Sequence, residues 1–101
     1  MAGTSYLYSF DSTLNTVSSI DLIASFRVSD SNDSINGFVI FNDSTTDNLK
    51  ISTVSSTDAN AFTLKPGEYM GLDIFLTNLF LINASLNTIP YRAILKAYSK
   101  D

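Results

Sequence analysis

The residues of this chain best suited to acid–base chemistry are its carboxylates. The chain holds nine Asp and a single Glu, Glu68, and neither His nor Cys. The commonest general base and the strongest nucleophile are therefore missing, and disulfides and zinc–thiolate sites are excluded. Most Asp residues stand in turn-like contexts: Asp11-Ser12, Asp30-Ser31, Asp33-Ser34, Asp43-Ser44 and Asp58-Ala59. An Asp in a turn usually accepts a hydrogen bond from the backbone two residues on, so these read as structural. Asp73 differs, because it lies inside an apolar stretch. It reads as a buried anchor, an interface contact, or an outward residue beside Lys65 or Lys96. Residues 29–36, SDSNDSIN, space oxygens at Asp30, Asn32 and Ser34 as a calcium loop does. However, the sixth position is Ile35 where Gly is needed, and the twelfth is Phe41 where a bidentate Glu is needed. The segment reads as a solvated turn. We assign no catalytic, cofactor-binding or metal-ligating residue, and expect a protein that is not an enzyme.

The remaining polar signals are also weak as chemistry. Asn32-Asp33-Ser34, Asn42-Asp43-Ser44 and Asn83-Ala84-Ser85 fit the glycosylation acceptor pattern. A chain this rich in Asn and Ser produces such matches by chance. The opening MAGTSYLYSF has no basic and then apolar segment, so we expect no signal peptide, a complete small gene product and silent acceptor sites. The net charge is −4 with four Lys and two Arg, unclustered. Nucleic-acid phosphates would be repelled, so no nucleic-acid partner is expected. Tyr6, Tyr8, Tyr69, Tyr91 and Tyr98 suggest a sugar-stacking platform, but aromatics at alternating strand positions more often serve a core or an interface. Tyr6 and Tyr8 share a face near the N-terminus, and the first strand reads as an arm packing onto a neighbour.

The elements that must position these residues are strands. Ser, Thr and Asn make up about a third of the 101 residues, Gln is absent, and Tyr and Phe are plentiful. That composition suits pleated strands joined by polar turns. Tyr6, Tyr8 and Phe10 alternate with Ser5, Leu7 and Ser9. Residues 22–28 read the same way, Leu22, Ala24, Phe26 and Val28 against Ile23, Ser25 and Arg27. Strands are also expected at 37–41, 49–54, 61–64 and 91–98. In the last, Tyr91, Ala93, Leu95 and Ala97 take one face and Arg92, Ile94, Lys96 and Tyr98 the other. Residues 64–82, LKPGEYMGLDIFLTNLFLI, are too short in apolar run to cross a membrane. Lys65-Pro66-Gly67-Glu68 is a type II turn signal, with Pro second and Gly third. It should lead into strands 69–75 and 79–83 with a bend at Thr77-Asn78, although helical spacing competes there. Polar connectors are expected at 11–16, 29–36, 42–48, 55–60 and 84–90. Seven or eight short strands, roughly ten residues apart, indicate one all-β domain over 1–101: an antiparallel β-sandwich or jelly-roll-like barrel. Several strands are apolar on both faces, which implies surface that needs cover from other subunits.

Residues 62–98 carry a resemblance. Leu64, Pro66, Gly67 and Glu68, then 79–84, then 91–98, resemble small β-sandwich structural proteins of tailed bacteriophages, such as capsid decoration (cement) or head-fibre proteins. The resemblance implies a virion component assembled in a host cytoplasm. It also implies a homo-oligomer, a trimer above all, that stabilises the shell against major capsid or other virion proteins without catalysis, cofactor or membrane. The residues expected at interfaces are Tyr6, Tyr8 and Phe10 in the N-terminal strand, with Phe75, Phe80, Ile94 and Tyr98. The competing expectations are a glycan- or protein-binding module of adhesin or carbohydrate-binding type, using loops 29–36 and 42–48 at one end of the sandwich, and a tail or baseplate component.

Overall fold

A computed structural model describes residues 3–29 and 33–99. They form eight strands and one helix: β1 (Thr4–Leu14), β2 (Ser18–Asp21), α1 (Leu22–Ser29), β3 (Ser34–Asn42), β4 (Leu49–Ser52), β5 (Phe62–Leu64), β6 (Tyr69–Leu72), β7 (Phe80–Asn83) and β8 (Ile89–Ser99). Two four-stranded sheets result, one ordered β1-β8-β3-β6 and the other β2-β7-β4-β5. Every pairing is antiparallel. β4 pairs with β5, β3 with β6, β2 with β7 and β1 with β8. The chain is thus a long folded ribbon wrapped so that successive strand pairs fall in alternate sheets. That winding is a jelly-roll sandwich.

The register explains the core. β8 alternates buried and outward residues along its length, with Ile89, Tyr91, Ala93, Leu95 and Ala97 inside. Opposite Ala93 and Leu95 stand Phe10 and Tyr8 of β1 on one side and Ile40 and Phe38 of β3 on the other. The second sheet meets this layer with Leu49, Ile51, Leu64 and Leu81. A side-chain period of two, buried on one face, leaves a single register in which the apolar set faces inward. The Pro-Gly turn between β5 and β6 forms as its residues dictate. Gly67 has φ 79°, and the Glu68 N–H donates to the Lys65 carbonyl at 3.0 Å. Glu68 also accepts from the Lys65 N–H at 2.8 Å.

Four expectations need correction. Residues 22–28 are helical, not a strand. Leu22, Ile23 and Phe26 are fully buried while Ala24 is exposed, a helical spacing. Asp21 decides the matter locally: its carboxylate accepts from the Ile23 N–H at 3.0 Å, capping the helix, and from the Leu79 N–H at 3.0 Å. Residues 11–14 are not a connector, since β1 stays paired with β8 as far as Leu14. β2 was not foreseen; its four residues have only one large apolar side chain, Ile20. β6 ends at Leu72 rather than 75, although Leu76 returns to bridge Ile35, with its N–H donating to the Ile35 carbonyl at 2.8 Å.

Candidate interaction surface

The outer face of the β1-β8-β3-β6 sheet is a layer of cross-strand rows. One row sets Ser9, Ile94, Val39 and Gly71 side by side; the next sets Asp11, Arg92, Phe41 and Tyr69. Leu7 and Lys96 share a third row with Gly37. The centre of this face is therefore apolar, and Leu7 and Tyr69 are each about two-thirds exposed. Two ion pairs frame it. The Arg92 guanidinium donates from Nε to Asp43 at 2.7 Å and from a terminal nitrogen at 3.0 Å, and lies 4.5 Å over the Phe41 ring. That bidentate hydrogen bond holds the Asp43 carboxyl below the ordinary carboxylate range. Phe41 in turn packs on Tyr69 with ring centroids 5.5 Å apart. At the other end Lys96 pairs with Asp73 across Gly37. A Cβ on Gly37 would come within 2.9 Å of the Lys96 side chain and 3.2 Å of Asp73. Asp73 is thus the outward residue beside Lys96.

The expected interface residues do not form one patch. Ile94 and Tyr98 lie on this outer face. Tyr6, Tyr8 and Phe10 point the other way, half-buried against the core. Tyr8 meets Phe26 of α1 edge-on at 4.9 Å and Phe10 at 5.3 Å. Tyr6 donates to the Asp33 carboxylate. β1 belongs to the chain's own sheet, paired with β8 at every residue. Phe80 is half-buried on the outer face of the second sheet, paired with Asp21 and Ser52. Phe75 is 66% exposed on the connector leaving β6. The five Tyr residues are likewise divided: Tyr69 and Tyr98 face out, while Tyr6, Tyr8 and Tyr91 face in. Burial raises the Tyr91 hydroxyl pKa. Leu7, Val39 and Phe41 are not among the residues singled out from the sequence, and Tyr69 is there only as a sugar-stacking candidate; the parity of each strand against β8 is the signal that places all four on this face.

The acceptor-pattern segments turn out to be loop frameworks. Asn42 and Asn83, each 1% exposed, close β3 and β7. The Asn42 amide donates to the carbonyls of Asp47 and Leu64 at 2.9 Å each, and its oxygen accepts from the Ser44 N–H. Ser44 then accepts from the N–H groups of Thr46 and Asp47. Asn83 repeats the design, donating to the carbonyls of Leu14, Asn15 and Asn87 and accepting from Ser85. Asn32 lies outside the described residues, as do Asp30 and Ser31 of the calcium-like segment. Of the two loops expected to share a site, residues 33–36 open the nine-residue strand β3 and 42–48 follow its far end, about 30 Å of strand apart, so these described residues do not meet; 30–32 lie outside the described residues.

Asp58 bonds Ser52 at 2.6 Å and the Asn60 N–H at 2.9 Å, which lowers its pKa; this is the turn role expected of it. Among the described residues no three acidic side chains converge, and no helix is long and apolar enough to cross a membrane. No protein-family model matches the chain, and no curated protein matches it. What defines the protein is its class: a small all-β jelly-roll sandwich with one apolar, ion-pair-framed sheet face.

Proposed function

We propose that this chain is a structural virion protein of the decoration or cement type, which stabilises a shell through protein contacts and performs no catalysis. The observation that carries the reading is the outer face of the β1-β8-β3-β6 sheet. Leu7, Val39, Phe41, Tyr69 and Ile94 present apolar surface on a rigid sheet, in the place where a sandwich normally meets water. Burying aromatic and aliphatic side chains there provides affinity, and the framing ion pairs fix orientation. The winding offers support by fold-level analogy only, because jelly rolls serve capsids but also lectins and other proteins.

The test is a density gradient of particles from the source, probed with an antibody against the chain. The chain should band with the particles, and leave them when Leu7 and Ile94 are both changed to Asp. Recovery of the unaltered chain only in the soluble fraction would overturn the reading.

A further inference from the structure

The two side walls of the sandwich are finished differently. Between β1 and β2 the gap is filled by α1, whose Leu22, Ile23 and Phe26 are fully buried. Between β5 and β6 nothing among the described residues fills it. Phe62 is 53% and Leu72 47% exposed, and Met70 is half-buried. The cleft between them, about 200 Å³, reaches the core residues Phe38 and Ile51. Ile74 and Phe75, 41% and 66% exposed, follow on the connector after β6. Both sheets also end here on strand edges: β6 pairs with β3 and β5 with β4, with no second strand beside either among the described residues.

We propose that this wall binds a second copy of the chain, wall to wall about a two-fold axis, with β6 antiparallel to β6. Three considerations select that occupant. The wall presents two strand edges separated by the spacing of packed sheets, about 10 Å. A single extended peptide would cover one edge, whereas another copy brings two edges at the same spacing. The parity of β6 also fits. Pairing centred on Gly71 sets Met70 opposite Leu72 of the other copy on the core side, and Gly71 opposite Gly71 on the outer side, where no side chain obstructs approach. The third is exposed apolar surface: Phe62 is 53% and Leu72 47% exposed, and the cleft between them opens onto core residues, the kind of surface a dimer interface buries at its centre. Asp58, the one charged residue lining the cleft, is turned toward Ser52 and Asn60 and leaves that apolar surface unbroken.

This inference does not rest on the virion reading, and it makes the basic assembly two-fold where the resemblance implies a trimer. Light scattering on the purified full chain tests it. The expected mass is twice 11.0 kDa. Phe62→Asp and Leu72→Asp, both at exposed positions, should keep the circular dichroism of the fold and weaken the dimer at least about thirtyfold. Leu86→Asp, on the separate β7–β8 loop, should leave it intact. Amide exchange across Tyr69–Leu72 should slow as protein concentration rises. A monomer at every concentration, a trimer, or a dimer indifferent to both wall variants would overturn the proposal. A confirmed dimer that fails to band with particles would sink the virion reading alone.

Discussion

Single polar side chains at strand ends hold the loops of this protein. Asn83 makes three donor contacts to carbonyls of two different segments and accepts from Ser85 at 2.9 Å, all from a position closed to water. Truncation would leave several buried polar groups unpaired, each costing about 1–3 kcal/mol. Asn83→Ala should therefore lower unfolding free energy by about 3 kcal/mol or more, measured by urea denaturation. At Asn42 and Asn83, which also fit the acceptor pattern, the side-chain amide is closed to water and engaged inside, so a glycan there is incompatible with these loops as folded. Asp43 shows a residue-scale effect of pH. Its pKa is depressed in the folded state by the hydrogen bond from Arg92, so folding favours the ionised form. The resulting stability is present above the unfolded carboxyl's pKa and is lost as pH falls through the folded value. Acid unfolding of Asp43→Asn should show a smaller loss over that acidic window than the unaltered chain.

At the scale of elements, strands that repeat over many residues were readable and short ones were not. The alternation of β8 over 91–98 placed each face correctly, because one buried face leaves only one period-two pattern. The turn at Lys65-Pro66-Gly67-Glu68 was legible because Pro and Gly fix the backbone locally. Residues 22–28 misled because Leu22, Ala24 and Phe26 satisfy alternation as well as Leu22, Ile23 and Phe26 satisfy a helix. Asp21 was the discriminating signal, an N-cap immediately before the apolar run. The helix matters because Phe26 fills the wall beside Tyr8. Phe26→Ala should cost about 3–5 kcal/mol by leaving a cavity between the sheets, read from the thermal or urea transition.

For the molecule as a whole, exposed apolar side chains stand on one sheet face (Leu7, Tyr69), on one side wall (Phe62, Leu72) and on loops and connectors (Val17, Val54, Ile74, Phe75, Leu86), while the opposite wall is filled by α1. A surface contact residue contributes little to folding. Leu7→Lys, at an exposed position on the sheet face, should shift stability by no more than about 0.5 kcal/mol. It should nevertheless weaken association with particles in the gradient experiment. A loss of both together would mean that Leu7 serves the fold rather than a partner.

By itself the sequence determined an all-β sandwich, its Pro-Gly turn, the two faces of its last strand and the poverty of its catalytic inventory. These follow from local backbone preference and side-chain period, which each segment carries alone. Only the tertiary structure decided that Tyr6, Tyr8 and Phe10 look inward, that Ile94 and Tyr98 look outward, and that Phe75 and Phe80 lie on different surfaces. Which face of a strand is outer depends on which sheet it joins and what crosses above it. Those are pairings between residues far apart in the chain, and no short stretch contains them.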